Sequence, residues 1–247
     1  MIALARHLGI ATFLTILTQL GGLAWLLALP FRRRGWAFAA FYLLLWLGAQ
    51  GVAPFFGRVA LPCWEVGPLQ VASPLTCAMN RNYATPELIA VLEDAARSVA
   101  HSYPDSQTLV LDLNFPFLNG FPLVPHLSHD DGEKADLAYA YRDAGGYLVG
   151  RMRSPIGYFA FEEGPDDCPK TWPSLRWDLP WLQPLWPDHA LEPERTRATL
   201  RALIEDPRVT KIFLEPHLQM RLSLSASKLR FQGCRAARHD DHVHLQL

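Results

Sequence analysis

The chain reads as an α+β protein led by an apolar helical hairpin, and three observations carry that reading. The first 57 residues contain two long stretches without a charged side chain. Beyond them, helix-period and strand-period patterns are mixed. The last strand-like segment, at the C-terminus, is dense in histidine.

Residues 8–31 hold no Asp, Glu, Lys or Arg, and neither do residues 35–57. Each stretch exceeds the roughly 20 apolar residues that a helix needs to cross a bilayer. Between them stand Arg32, Arg33 and Arg34, so the connection fits a tight helical hairpin. The positive-inside rule puts these arginines in the cytoplasm. The N-terminus and everything after Gly57 are then expected on the outer side. A cleaved signal peptide does not fit, because the apolar run is too long and no small-residue cleavage site precedes the arginines. A soluble helix would show a polar face, which both stretches lack. Gln19-Leu20-Gly21-Gly22 supplies small residues for close packing within the hairpin. The expected division is a transmembrane hairpin at 1–57 and one external domain at 58–247.

The external part, about 190 residues, is long enough for a core of its own. Net charge is −1 and no basic run interleaves with aromatics, so no nucleic-acid partner is expected. Thr85 and Pro86 read as the cap and first turn of a helix, with Ile89, Leu92, Ala96 and Val99 on one face. Residues 108–115 alternate as a strand, with Leu109, Leu111 and Leu113 on one side. Residues 137–141, 209–214, 229–234 and 242–247 read as further strands. A second helix at 195–205 is stopped by Asp206-Pro207. The expected architecture is a small antiparallel sheet with flanking helices. Residues 164–193 are rich in Trp and Pro. Such an excursion forms either a wall of a substrate groove or a flap over the sheet.

All four cysteines follow the apolar stretches, where disulfides are permitted. Three pairings exist. Cys63 with Cys77 is preferred because they bracket a short segment, which leaves Cys168 with Cys234.

Two separated clusters carry the chemistry. The stretch Pro125-His126-Leu127-Ser128-His129-Asp130-Asp131-Gly132-Glu133-Lys134-Ala135-Asp136 contains H-x6-D, and the C-terminus contains His239, His242 and His244. Two imidazoles and one carboxylate make a three-ligand set for a catalytic zinc, with a fourth position left for water. Strand period puts His242 and His244 on one face, with Val243, Leu245 and Leu247 on the other. One of the two histidines is expected to bind metal and the other to reach substrate. Asp130, Asp131 and Glu133 read as a solvated acidic turn. His101, His189 and His217 read as surface or satisfied core residues.

Pro-His-x-Ser-His-x-x-Gly-x-x-x-Asp followed later by His-Asp-Asp-His-x-His resembles the penicillin-insensitive murein endopeptidases, within the lysostaphin and D-Ala-D-Ala type zinc peptidases. The resemblance covers residues 108–247 and includes a helix-then-strand unit at 196–214. Asp130 stands where the family commonly has glutamine. The resemblance implies Zn2+ held by His129, Asp136 and His244. It implies His126, His239 and His242 as active-site residues that do not bind the metal. His242 is the first choice for a base or oxyanion stabiliser, with Asp241 as the alternative base. His126 and His239 would orient ligands or hold a substrate carboxylate. The implied substrate is the peptide cross-link of peptidoglycan. The implied location is the bacterial inner membrane, with residues 8–57 in the bilayer and the catalytic domain facing the periplasm or cell wall. A different class stays open, a membrane-anchored cell-wall binding or assembly module that holds zinc without turnover.

Overall fold

A computed structural model describes residues 2–247. The described chain forms two compact units, the first of residues 2–63, 74–88 and 112–134, the second of residues 64–73, 89–111 and 135–247.

The first unit begins with helices α1 (Ile2–Thr18), α2 (Gly21–Ala28) and α3 (Arg34–Val52). The first apolar stretch is therefore two helices, where a single spanning helix was expected. The break is at Gln19, whose φ of 63° is left-handed. α2 folds back along α1, and the His7 and Trp25 rings lie 5.8 Å apart. Glycine makes this reversal possible. A Cβ on Gly22 would lie 1.9 Å from Thr15 Oγ1 and 2.5 Å from the Ala11 carbonyl oxygen. The small residues thus close the α1–α2 contact. Thr18 Oγ1 accepts from Gly21 N at 2.8 Å and helps turn the chain. α3 continues as a 3-10 turn, and Arg34–Phe56 is one helix of 23 residues, long and apolar enough to cross a membrane.

The rest of this unit gathers at the Thr18 end of α1 and the far half of α3. Strands β1 (Val59–Ala60) and β3 (Tyr83–Ala84) pair antiparallel. Cys63 is bonded to Cys77 of the short helix α4 (Pro74–Ala78). Asn80 Nδ2 donates to the Thr18 carbonyl at 3.0 Å, filling a helix-end acceptor. Trp46 Nε1 donates to the Cys77 carbonyl at 2.8 Å, and Phe117 N donates to Gln19 Oε1 at 3.1 Å. Leu20, Ala49, Ala53 and Tyr83 form a buried cluster there. α1 has 17 residues, so its start lies about 25 Å away, toward the arginine turn. The N-terminus and the segment after Gly57 were expected at one end of the helices. The start of α1 at Ile2 lies at the opposite end from the segment after Gly57, because the extra reversal at Gln19 adds one pass.

The second unit is built on a sheet of six strands in the order β10-β9-β11-β5-β4-β2. These are β2 (Leu69–Val71), β4 (Thr108–Asp112), β5 (Lys134–Ala138), β9 (Lys211–Phe213), β10 (Leu229–Arg230) and β11 (His242–Gln246). The sheet is mixed, where an antiparallel one was expected. β2 and β4 pair parallel, as do β9 and β10, while β11 pairs antiparallel with β9. Each parallel pair is joined by a crossover, one through helix α5 (Pro86–Ser102) and one through α7 (Pro216–Arg221). β4 is buried along its whole length, so both faces are covered and its alternation is not a solvent pattern.

The cap expected at Thr85 forms, with Oγ1 accepting from Leu88 N at 3.3 Å. α5 buries Leu88, Val91, Leu92, Ala95, Ala96 and Val99, while Ile89 is only half-buried. Helix α6 (Pro193–Glu205) is capped by Glu192, whose carboxylate accepts from Arg195 N at 2.6 Å. It buries Leu200 and Leu203 completely. Each such leucine contributes about 1.5–3 kcal/mol. A smaller sheet pairs β6 (Tyr141–Asp143) with β7 (Gly146–Tyr147) and β8 (Ala190–Leu191). Cys168 is bonded to Cys234, which closes the excursion against the C-terminal segment.

Candidate metal centre

His129 is fixed from behind. It is 1% exposed, and its Nδ1 lies 2.6 Å from the Leu113 carbonyl oxygen. A carbonyl only accepts, so Nδ1 carries the proton, which in the neutral ring leaves the lone pair on Nε2. This is how a metal-binding imidazole is usually held. The left-handed Gly132, φ 94°, turns the chain toward β5. Its N–H donates to Asn114 Oδ1 at 3.0 Å. Asp136 follows on β5 and is fully buried. Along this continuous stretch, His126, His129 and Asp136 each offer a ligand atom within 4.8 Å of the others, so the group could hold a metal ion.

His126 is anchored by a carboxylate. Its Nδ1 is 3.2 Å from Asp112 Oδ2 at the end of β4. Asp112 is also gripped by Arg81, with Nε at 2.5 Å from Oδ1 and Nη2 at 2.7 Å from Oδ2. Burial pushes the Asp112 carboxyl up, and the His126 hydrogen bond and the Arg81 guanidinium outweigh it, holding the group below its ordinary value.

On β11 the strand period separates histidines from apolar residues, but both faces are covered, where a half-buried strand was expected. Val243 and Leu245 are buried on one face, and His242 and His244 are 4% exposed on the other. His244 Nδ1 lies 2.8 Å from Asp136 Oδ1. His242 points its Nε2 at the same oxygen from 3.8 Å. Its Nδ1 is 2.5 Å from Asp241 Oδ1, so Asp241 sets the ring's orientation. Asp241, the alternative base, thus spends one oxygen on His242. The other accepts from Phe159 N at 2.6 Å.

His239 lies beside these rings, with centroids 4.9 Å from His242 and 5.8 Å from His244. The His239 backbone N–H donates to Glu215 Oε1 at 3.1 Å. Glu215 is itself held by Arg176 through Nη1 at 3.1 Å and Nη2 at 2.7 Å. Tyr139 Oη donates to the carbonyls of His239, at 3.1 Å, and His242, at 2.9 Å. Asp240 has no exposed surface, and burial pushes its carboxyl up to about 6 despite the Arg238 partner. His217 is buried 3.8 Å from Asp240, and burial pushes its imidazole down.

Every histidine singled out in the two motifs is therefore found beside another of them or beside Asp136. The difference from the expected ligand set is His126, which the structure groups with His129 and Asp136. The acidic turn is solvated only in part: Glu133 is exposed, while Asp130 and Asp131 are half-buried and pair with Lys134. Arg81, Asp112 and Tyr158 were not singled out in the sequence. Asp112 left a trace, as an ionisable residue ending an apolar strand. Arg81 and Tyr158 left none, because their partners are distant in the chain. No protein-family model matches the chain, and no curated protein matches it.

Proposed function

We propose that the protein is a membrane-anchored zinc peptidase that hydrolyses peptide cross-links of peptidoglycan. One observation carries the reading: the fully buried Asp136 carboxylate has four imidazoles around it. A buried carboxylate without a cation is costly, and this donor set fits a divalent metal. We assign His129, Asp136 and His244 as ligands. His129 offers Nε2, since Nδ1 is engaged by Leu113. His244 offers Nδ1, the nitrogen nearest Asp136. His126, tied to Asp112, holds the substrate side of the site or completes the ligand set.

A bound zinc supplies Lewis acidity, which acidifies a water molecule and polarises the scissile carbonyl. The chain's own residues do the rest. His242 accepts a proton at Nε2 in its neutral form and then donates a hydrogen bond to the developing oxyanion or leaving amine. Asp241 keeps the Nδ1 proton in place and stabilises the imidazolium. His239 faces substrate carboxylates. The burial of these groups excludes bulk water, which strengthens each charge interaction.

The location belongs to the same reading. α3 crosses the bilayer, with Arg32, Arg33 and Arg34 in the cytoplasm and the metal centre outside. Because α2 folds back on α1, the start of α1 at Ile2 lies with the arginines. Single cysteines at Ala3 and at Gln246 would be labelled in intact cells with a membrane-impermeant reagent. Labelling of Gln246→Cys alone is expected, and labelling of Ala3→Cys alone would overturn both the topology and the substrate. Elemental analysis of the detergent-purified full chain should find one zinc per molecule. A metal-free protein after zinc loading would sink the reading.

A further inference from the structure

The turn Gly157-Tyr158-Phe159 reaches two carboxylates of the candidate centre at once. Tyr158 is 8% exposed and its Oη donates to Asp136 Oδ2 at 2.9 Å. The next backbone N–H, of Phe159, donates to Asp241 Oδ2 at 2.6 Å. The other oxygen of each carboxylate faces an imidazole: Asp136 Oδ1 meets His244, and Asp241 Oδ1 meets His242. The Tyr158 ring stands edge-on to His242, with centroids 5.0 Å apart and planes at 77°.

The backbone is held in an uncommon shape to do this. Gly157 has φ 81° and Phe159 has φ 65°, both left-handed. For a phenylalanine that conformation costs about 1–3 kcal/mol and persists only when its surroundings impose it. They do. The Phe159 carbonyl accepts from Trp186 Nε1 at 2.8 Å and from Gln183 Nε2 at 3.0 Å. Gln183 Oε1 also accepts from Phe161 N at 3.1 Å. On the other side the turn is pressed onto β4, where a Cβ at Gly157 would lie 2.1 Å from Leu111 Cδ2.

We propose that this turn is a two-pronged clamp, in which Tyr158 is a positioning residue that fixes how Asp136 is presented to a divalent metal ion. The proposal rests on the metal-centre reading above. A carboxylate free to rotate offers either oxygen in several directions. Tyr158 occupies Oδ2 and so directs Oδ1 toward the imidazole side. Phe159 does the same for Asp241, and through it for the His242 ring. The Trp- and Pro-rich excursion gains a role from this: Gln183 and Trp186 brace the clamp from behind. A tyrosine that merely filled core space would need its ring, and the hydroxyl could serve any acceptor.

Tyr158→Phe keeps the ring and removes the hydroxyl. Full-length wild type and Tyr158→Phe, purified in detergent, would be titrated with cobalt(II) against a competing chelator while visible absorption is recorded. The clamp predicts about ten- to hundredfold weaker cobalt binding, the usual cost of losing a group that orients a ligand, and a changed cobalt absorption band. Leu200→Ala, a core change in α6, should lower the melting temperature and leave cobalt affinity and spectrum as in wild type. Wild-type affinity and spectrum in Tyr158→Phe would overturn the clamp while the metal centre stands. A similar loss of affinity in Leu200→Ala would also overturn it, since general loosening would then explain the effect. No cobalt binding by wild type would overturn the metal centre, and the clamp with it.

Discussion

The two histidine-bearing segments place their imidazoles by different means. β11 is held by its ladder with β9, in the register His244 to Phe213 and Leu245 to Ile212. Period two then presents His242 and His244 together, whatever their neighbours are. The segment carrying His126 and His129 lies between strands β4 and β5, and side chains hold it. Arg58, 1% exposed, donates to the carbonyls of Phe115 and Asp130 and to Asn119 Oδ1. Gly120 N donates to the Asp130 carbonyl at 2.8 Å, and Thr85 N donates to that of Gly132 at 2.9 Å. A strand places its histidines by geometry that any apolar partner supports. A loop places them through a few specific bonds, so single substitutions should disturb it far more.

The largest effect expected is loss of the metal itself. His129→Ala and His244→Ala should each copurify with almost no zinc, because two remaining ligands hold it poorly. Elemental analysis checks this, and equal metal in wild type and His129→Ala would break the assignment from the loop side.

His242→Ala separates the roles on the strand. It should retain zinc and lose about two to four orders of magnitude in kcat, the scale for a general acid or base. Loss of zinc in His242→Ala, with retention in His244→Ala, would swap the two. Asp241→Asn should also retain zinc and lose about ten- to hundredfold in rate, since it orients a group without binding metal. If it were far more damaging than His242→Ala, Asp241 would be the base.

The smallest effect sharpens the contrast between loop and strand. Arg58→Ala should destabilise the protein by about 2–3 kcal/mol, because it strands buried acceptors. It should weaken metal binding through His129 and leave the β11 ladder protected in hydrogen exchange. Equal loss of protection in both segments would show that they are not independently held.

What the sequence disclosed follows the same division. β11 could be read because alternation is a local signal, and its faces are those expected. H-x6-D could be read because His129 and Asp136 are near in the chain. The disulfides could be narrowed by spacing alone. The break at Gln19 could not be read, since a glutamine gives no hint of a left-handed conformation. Gly21 and Gly22 were visible, but not that they close on Thr15 and Ala11. The mixed sheet depends on crossovers, which residue patterns do not orient. Arg81 and Tyr158 act on partners 31 and 22 residues away. Nothing local marks them.

We propose that a metal held by His129, Asp136 and His244 serves peptide hydrolysis in the cell wall. The most direct test is incubation of the zinc-loaded full chain with purified cross-linked peptidoglycan, with products identified by mass. Conversion of cross-linked dimers to monomers is expected, abolished by a chelator and by His129→Ala. Intact dimers in the presence of a protein that demonstrably holds its zinc would contradict it and favour a binding or assembly role.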